Sequence, residues 1–357
     1  MKRTKWHCSL FFMSLYLTFF VSFALGQNIE TSITPEDFPA LKNPLMHWAS
    51  GTFSKDPSVV RFQDRYLLYF SFPPQKIGNR EFGWTIGVAE SSDLIHWEFL
   101  ANILPMQECD EKGLCAPCAK VISDKVFLFY QTYGNGPKDA ICCAWSNDGT
   151  HFRPHSQNPI FHPKGNWTNG RAIDAELISF ENQWFLYAAT RDPEGKKQKL
   201  VVATAEIIDA NASDPEQEFR PERWKLAFDG SILEPELNWE TNCIEAPTII
   251  EKNGKLYMFY AGGFNNDPQQ IGLAISNDGI VWRRVWNLPF IPNGPTGQWN
   301  ESESGHPGIF VDEKGQTWLF FQGNKTKGKD WFLSRVKIGW ESDSTSKFYP
   351  KVLCEEF

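Results

Sequence analysis

The residues NCIEAPTIIEKNGKLYMFYAGG (242–263) contain a pattern that recurs along the whole chain. An acidic residue, Glu245, precedes a proline and a short apolar run. An Asn-Gly pair then separates this run from a second one, which is rich in aromatic residues and ends in small residues. Two apolar runs joined by Asn-Gly predict a β-hairpin with a tight turn. The sequence therefore predicts two adjacent strands with a carboxylate at the entrance of the first.

The second of these runs has four counterparts elsewhere in the chain. Their first residues are separated by 60, 58, 72 and 61 positions, and a charged insertion at 209–223 accounts for the widest interval. Short strands repeated at a near-constant interval, with almost no helical periodicity, predict a radial β array. We predict an all-β fold, a five-bladed β-propeller with four antiparallel strands per blade and strand cores at 66–72, 126–132, 184–190, 256–262 and 317–323.

Three of the cores are followed by a Ser-X-Asp motif and then an aromatic residue within four positions. The aspartates are Asp93, Asp148 and Asp278. An Asp side chain in such a motif caps the turn between two strands, while the aromatic side chain packs against the next strand. The motif predicts the turn at the outer side of each blade.

The first 26 residues have the features of a secretory signal. Lys2, Arg3 and Lys5 precede an apolar run at 9–25, and small residues at 24 and 26 lie at the −3 and −1 positions of a cleavage site before Gln27. We expect a signal peptide at 1–26, a single propeller domain at 27–357, and a secreted or periplasmic protein that has no membrane partner after cleavage. A membrane anchor is the alternative, since the apolar run is at the short end for a span.

The charge excludes one class of partner. The 35 Lys and Arg against 43 Asp and Glu give a net charge of −8, and loss of the three basic residues of the signal makes it −11. Such a surface disfavours nucleic acid as a partner. Of eight cysteines, Cys8 lies in the signal, and neither the pairing of the other seven nor the oligomeric state follows from the sequence.

One residue of each repeat lies at nearly the same distance before its strand core. Asp56, Ala116 and Asp174 lie 10 residues before their cores, and Glu245 and His306 lie 11 before theirs. The innermost strand of a propeller blade begins at the central axis, so these five residues should meet at the mouth of the channel. Asp-Pro is also a common turn dipeptide, and the shared distance is what separates Asp56 from an ordinary turn residue.

Three carboxylates and an imidazole in one pocket predict acid/base chemistry. Carboxylates at close range raise one another's pKa, so that one keeps a proton while another stays ionised. Hydrolysis of a glycosidic bond requires this pair, one group to protonate the leaving oxygen and one to activate water.

The motifs around these residues resemble those of glycoside hydrolase family 43. The matching stretches are Lys55-Asp56-Pro57, Ala116-Pro117, Ile173-Asp174-Ala175, Ile244-Glu245-Ala246-Pro247 and Gly305-His306. The resemblance implies that Asp56 is the general base, that Glu245 is the general acid, and that Asp174 orients Glu245 and raises its pKa. Cys115 stands where the family has a tryptophan, which leaves the sugar-facing surface there in doubt.

The resemblance also implies other components of the site. It requires no cofactor, although it allows a structural calcium in the central channel that His306 would contact through water. A carbohydrate substrate is the expected partner. The residues expected to bind the carbohydrate are His306, Arg171, Trp84, Trp48, Trp167 and Trp299. For all of them except His306, ordinary packing or a surface ion pair is the alternative.

These expectations converge on a secreted, inverting glycoside hydrolase of plant or algal oligo- and polysaccharides of the arabinofuranoside, xyloside or galactan type. The alternatives are a family 117-like hydrolase of algal galactan oligosaccharides, a family 130-like phosphorylase, and a non-catalytic carbohydrate-binding propeller. Arg191-Asp192-Pro193 resembles a catalytic motif of family 32. Because it follows a strand core, we expect it at the opposite face and not in the site.

Overall fold

The computed structural model describes residues 54–77, 79–265, 267–342 and 348–353. The expected signal peptide at 1–26 and Trp48 lie outside these residues. Five four-stranded antiparallel sheets follow one another along the chain and form a five-bladed propeller, which confirms the predicted fold class. All five predicted strand cores lie in the second strand of a blade.

Each blade consists of four consecutive strands, apart from a small hairpin inserted in blade 1. The outermost strands of blades 2, 3 and 4 have only two residues, so these blades expose very short edges. The strands are β1 Lys55–Phe62, β2 Arg65–Phe72, β5 Thr85–Ser91 and β6 Glu98–Ile103 in blade 1, with the hairpin β3 Gln75–Ile77 and β4 Arg80–Phe82; β7 Leu114–Ile122, β8 Lys125–Thr132, β9 Ile141–Ser146 and β10 Arg153–Pro154 in blade 2; β11 Ile173–Phe180, β12 Gln183–Arg191, β13 Gln198–Glu206 and β14 Lys225–Leu226 in blade 3; β15 Ile244–Lys252, β16 Lys255–Gly262, β17 Gln270–Ser276 and β18 Arg283–Arg284 in blade 4; and β19 Glu303–Val311, β20 Thr317–Asn324, β21 Phe332–Ser342 and β22 Phe348–Leu353 in blade 5.

Within the described ranges, helices are few and short. The α-helix α1, Pro215–Glu218, lies in the charged insertion of blade 3, and 3-10 turns occur at Glu108–Asp110, Gly136–Lys138, Pro221–Arg223 and Asn238–Glu240. None of the helices in the described part of the chain has the length and apolar character that a membrane crossing requires.

The innermost strand of every blade has a bulge at its channel end. The pairing with the second strand shifts there, for example between Lys55 and Ser58 in blade 1. In each bulge one residue has a positive φ between 43° and 56°, the left-handed region that few side chains adopt without a structural reason. We call these five residues the ring residues; they are Asp56, Ala116, Asp174, Ala246 and His306.

The bulges correct one sequence expectation. Glu245 is not a ring residue, because Ala246 occupies that place in blade 4 and Glu245 pairs with Ala261 just before the bulge. Glu245 and His306 both lie 11 residues before their strand cores, but for different reasons. In blade 5 the turn after β19 is five residues long, at 312–316, whereas the other four turns have two residues; this longer turn gives His306 its extra residue.

The hydrophobic core lies between neighbouring blades. Each cluster of buried side chains joins two blades, and the cluster between blades 5 and 1 includes Leu68, Phe70, Phe320 and Leu333. The backbone N–H of Ser54 also donates to the carbonyl of Trp331, at 3.1 Å. Contacts between side chains, together with this hydrogen bond, therefore close the ring.

The three Ser-X-Asp motifs form the predicted capped turns. In each, one oxygen of the aspartate accepts hydrogen bonds from two backbone N–H groups, all at 2.8 Å. The indole N–H of Trp97 and that of Trp282 donate to backbone carbonyls in the same turns. The motifs therefore end the third strand of blades 1, 2 and 4 and lead to the outermost strand.

Candidate active site

The ring residues divide the central channel into two cavities. An upper cavity of about 320 Å³ and a lower one of about 360 Å³ share Asp56, Ala116, Asp174 and His306 as lining residues. Glu245 lines only the upper cavity, so this is where all three predicted catalytic carboxylates meet.

Side chains of the neighbouring blade hold three of the ring residues. The backbone N–H of Asp56 donates to Gln322 Oε1 at 2.9 Å, and that of Asp174 donates to Gln131 Oε1 at 2.9 Å. The N–H of Ala116 donates to Ser71 Oγ at 2.8 Å. These acceptors occupy equivalent places in the second strands. In each case the blade that carries the acceptor therefore fixes the position of a ring residue in the next blade.

His306 connects two of the three carboxylates. Its Nδ1 lies 2.7 Å from Asp56 Oδ1, and its Nε2 lies 3.0 Å from Glu245 Oε1. Burial alone would lower the pKa of His306, but the negative charge of Asp56 and the hydrogen bonds to both carboxylates raise it well above its usual value. The ring is therefore an imidazolium in the free site.

The same contact keeps Asp56 ionised. Burial raises the pKa of a carboxyl group, but the charges of His306 and Lys55 and hydrogen bonds from His306 and Ser71 Oγ together hold the pKa of Asp56 well below its usual range. A carboxylate that stays ionised is able to accept a proton from water.

Glu245 accepts three hydrogen bonds. Gln198 Nε2 donates to Oε2, and Gln269 Nε2 donates to Oε1 at 2.7 Å, beside His306. Burial opposes ionisation, yet His306, Lys55 and Gln269 lower the pKa of Glu245. The net shift in the free site is therefore opposite to the raised pKa that a general acid needs, because His306 places a positive charge against this carboxylate.

Gly305 makes room for one of these donors. A Cβ atom at this residue would lie 1.8 Å from Gln269 Oε1. Only a glycine lets the amide of Gln269 approach the strand and reach Glu245. The Gly-His pair at 305–306 thus serves the carboxylate twice, once by leaving space and once through the imidazole.

The raised pKa belongs to Asp174. Burial is the main cause, the charges of Glu245 and Asp56 add to it, and the attraction of His306 opposes it, so that the pKa of Asp174 rises to about 7. Its Oδ2 is buried and accepts no hydrogen bond from any described residue. The four groups thus share protons and titrate as one cluster.

The expected calcium does not fit the observed state of His306. Ligand atoms of Asp174, Glu245 and His306 lie within 4.8 Å of one another, a spacing that a cation could bridge. Both ring nitrogens of His306, however, already contact carboxylates. The ring offers neither a lone pair to an ion nor a free N–H to a bound water.

Aromatic side chains form part of the cavity wall. Trp84, Tyr133 and Phe264 line it, and the rings of Trp84 and Tyr133 lie 6.2 Å apart at 60°. Cys115 lines it as well, where the resembling family has a tryptophan. The expectation for Trp84 agrees with this geometry, and the aromatic surface beside Cys115 comes from the neighbouring loops.

Two of the expected substrate-binding tryptophans do not line the cavity. Trp167 packs against the core between blades 2 and 3, and its indole N–H donates to Asp229 at 2.9 Å. Trp299 packs against Phe321 at 5.9 Å. Both pack against the core instead, and a role in substrate binding stays a prediction for each.

Two arginines line the upper cavity. Arg171 was expected there, and its Nε donates to the buried Asp139 at 3.4 Å. The position expected for Arg191 is wrong. Because β12 is antiparallel to β11, its end lies beside the start of β11, at the face where Asp174 is found. Asp192 next to it is a turn residue that accepts hydrogen bonds from the N–H groups of Lys196 and Lys197.

No motif in the sequence points to Gln198 or Gln269. Both lie at or just before the start of the third strand of a blade, a place that the strand direction puts next to the ring residues. Strand direction, applied to polar residues after each strand core, is the signal that would have found these two and Arg191.

A curated relative matches part of the chain. Over 166 residues it is 28% identical to a sucrose-6-phosphate hydrolase of Zymomonas mobilis, a match that covers 44% of this chain and 31% of that protein. The chain thus spans about a third of the length of this curated relative.

Solved structures share the fold. An endo-1,4-β-xylanase from Bacteroides thetaiotaomicron superposes with a TM-score of 0.62 at 18% identity, covering 85% of this chain and 94% of the xylanase. An α-L-arabinofuranosidase from Lactobacillus brevis gives 0.62 at 16% identity, covering 88% and 97%. The model of the family "Glycosyl hydrolases family 43" matches residues 42–344. The chain belongs to glycosyl hydrolases family 43.

Proposed function

We propose that this chain is an exported glycoside hydrolase that cleaves plant or algal oligo- and polysaccharides with inversion at the anomeric carbon. The observation that carries the proposal is the meeting of Asp56, Asp174 and Glu245, from three different blades, with His306 in one cavity. Buried carboxylates held at different protonation states are what general acid/base cleavage requires.

Asp56 acts as the general base. Its carboxylate is ionised, lines the upper cavity and is held from the side by His306 and Ser71. A water molecule between Asp56 and the anomeric carbon of the sugar would give its proton to Asp56 as it attacks.

Glu245 acts as the general acid, and it must first gain a proton. His306 contacts it directly, and Asp174 holds a proton up to a pKa of about 7. When a sugar displaces water and its glycosidic oxygen reaches Glu245, the proton shared by the cluster moves to that carboxyl group and then to the leaving oxygen. Asp174 remains as the group that sets how tightly the cluster holds its protons.

The substrate class follows from the family and its relatives. Xylosides, arabinofuranosides and galactans are the substrates that the resemblance implies, and the two solved structures are named as a xylanase and an arabinofuranosidase. A cavity of about 320 Å³ matches the small end of the range of binding pockets, which favours recognition of terminal sugars.

Sugar release from aryl glycosides and plant or algal oligosaccharides tests the proposal. We expect Glu245→Gln and Asp56→Asn to lower kcat/KM by about 10³-fold, the contribution typical of acid/base groups. Glu251→Gln, at the exposed end of the same strand, is the control. Proton NMR should show the inverted anomer first. Full activity in both site variants would remove the assignment, and sugar binding without turnover in the wild type would indicate a binding propeller.

A phosphorylase is the second candidate, and one observation favours it. Lys55 and Arg191 line the cavity and supply the positive charge that a phosphate co-substrate needs. Asp56 opposes it, because an ionised carboxylate at the place of the nucleophile repels phosphate. A strict requirement for inorganic phosphate would decide for the phosphorylase.

A further inference from the structure

We propose that the upper cavity binds a sugar that carries an anionic group, a carboxylate or a sulfate ester, in contact with Lys55 and Arg191. The inference rests on the proposed function, since it names the substrate class of the same site. Its basis is the position of two cations that no described carboxylate neutralises by direct contact.

Lys55 is the first of these cations. It precedes Asp56 in β1 and lines the upper cavity. Its Nζ lies 3.3 Å from Asn265 Oδ1 and 4.9 Å from the ring centre of Trp331, and it forms no ion pair with any carboxylate in the described ranges. The charges of Asp56, Glu303 and Glu245 raise the pKa of Lys55, although none of the three forms an ion pair with it; Glu303 accepts hydrogen bonds from Gln322 and Asn324 instead.

Arg191 is the second cation. Its Nε donates to Gln198 Oε1 at 2.8 Å, and its guanidinium lies 5.4 Å from the ring centre of Phe264. These contacts fix the side chain while its two terminal nitrogens form no ion pair within the described part of the chain. A guanidinium held by its Nε presents the planar pair of N–H groups that binds a carboxylate or sulfate with two hydrogen bonds.

The two cations converge on one part of the wall. Lys55 contacts Asn265, and Arg191 stacks on Phe264, the residue before it. All four residues line the same cavity. One small anion held over this dipeptide would therefore be within reach of both cations.

The charge balance of the cavity points the same way. Among the side chains that line the cavity, with Asp174 protonated, two ionised carboxylates, Asp56 and Glu245, face three cations, Lys55, Arg191 and His306; Arg171 is left out because Asp139 neutralises it, and Glu303, whose charge also acts on Lys55, lies outside the lining. A neutral sugar would leave this positive charge uncompensated, whereas a uronic acid or sulfated sugar supplies the missing negative charge. Phosphate would do so too, but it would have to approach Asp56 as the nucleophile.

Matched substrates test the proposal. Aryl α-L-arabinopyranoside, β-D-galactoside and β-D-galacturonide differ only in the group on C5, as do β-D-xyloside, β-D-glucoside and β-D-glucuronide; a 6-sulfated β-D-galactoside tests the sulfate. We expect kcat/KM for the anionic member of a series to exceed that of its neutral homologues at least 30-fold. Equal or faster cleavage of the neutral members would overturn the inference and leave the proposed hydrolase intact.

Binding keeps the two proposals separable if no glycoside is cleaved. Titration calorimetry of the wild-type protein with glucuronate, galacturonate, galactose-6-sulfate, the neutral parent sugars and inorganic phosphate gives the preference without turnover. Tighter binding of an anionic sugar supports the inference even where hydrolysis fails. A lack of preference, or a preference for phosphate, overturns it.

Variants locate the anion. Arg191→Gln should lower kcat/KM for the anionic sugar 10- to 100-fold, mainly through KM, and should affect the neutral homologue much less. Lys55→Met should raise KM for the anionic sugar only, while any change in kcat should be shared by both sugars, because Lys55 also acts on the pKa of Asp56 and Glu245. Arg283→Gln removes the same charge from an exposed residue of β18 and is the control. Added salt should raise KM only for the anionic sugar. An equal loss on both sugars in Arg191→Gln would mean that Arg191 acts only through Gln198 on Glu245, and the anion site would be rejected.

Discussion

Glu245 accepts hydrogen bonds from Gln198, Gln269 and His306, and all three favour its ionised form. A general acid needs the opposite state at the moment of bond cleavage. The cavity resolves this by keeping protons on His306, which contacts Glu245, and on Asp174, whose carboxylate lies within 4.8 Å of both. The acid is therefore a property of the cluster more than of one carboxyl group.

Gln198 offers a direct test of this arrangement. Gln198→Leu removes one donor from Glu245, so the pKa of Glu245 should rise. The alkaline limb of the kcat/KM profile, which reports the acid in the free enzyme, should then move up by about 0.5 to 1 pH unit, since a hydrogen bond contributes about 1 kcal/mol. Gln183→Ala, exposed at the start of β12, is the control. A lower kcat with an unmoved limb would assign Gln198 a purely structural role.

Asp174 makes stability depend on pH. Its pKa rises from 3.8 in the unfolded chain to about 7 in the fold, so the folded state binds the extra proton between these values. The free energy of unfolding therefore falls as pH rises through this window and levels off above it. Asp174→Asn should abolish this loss.

Urea unfolding at pH 4.5 and pH 8 measures the effect. The stability of Asp174→Asn relative to the wild type should be higher at pH 8 than at pH 4.5, by at most about 4 kcal/mol. Glu181→Gln makes a similar change in an exposed turn and serves as the control. A pH-independent difference between Asp174→Asn and wild type would contradict the raised pKa.

At the level of strands, the bulge explains which residues the sequence could predict. Asp56, Asp174 and His306 were found because ring residues keep a nearly constant distance from the strand core. Glu245 was placed one residue off, because the five-residue turn of blade 5 hid the true spacing. Gln198, Gln269 and Arg191 lie near the ring only through the pairing of strands, which no short motif records.

Two alanines of β7 test the backbone of the ring. Ala116 has a φ of 48°, whereas Ala119 is not among the residues with positive φ. Ala116→Gly should change stability by less than about 0.5 kcal/mol, because relief of the left-handed strain offsets the added chain entropy. Ala119→Gly should cost about 1 kcal/mol. Urea unfolding compares the two, and equal losses would mean that the bulge carries no strain.

At the level of the whole molecule, repeat spacing was sufficient to predict the propeller and its five blades. The error about Arg191 arose at the same scale. Face and depth depend on whether a strand runs toward or away from the site, and β12 runs back to the face where β11 begins. A strand list gives the architecture, but strand direction decides which loops meet.

Burial in the complete fold also sorts the four Asn-X-Ser/Thr sequences. Asn166 and Asn211 are exposed, whereas Asn300 and Asn324 are buried, with Asn324 donating to Glu303 at 2.8 Å. If the protein is secreted from a host that glycosylates asparagine, we expect the folded protein to carry glycans at Asn166 and Asn211 only. Peptide mass mapping after enzymatic release in ¹⁸O water measures this, and a glycan on Asn324 in active protein would contradict the fold around blade 5.

The left-handed ring residues have a consequence for how such a molecule changes. The bulge and the neighbouring blade set the backbone conformation of these residues, which therefore does not depend on the side chain that each position carries. At two of the five positions, Ala116 and Ala246, the side chain is only a methyl group. A single substitution at one of these alanines would therefore place a new functional group at the axis, while the packing between the blades stays unchanged.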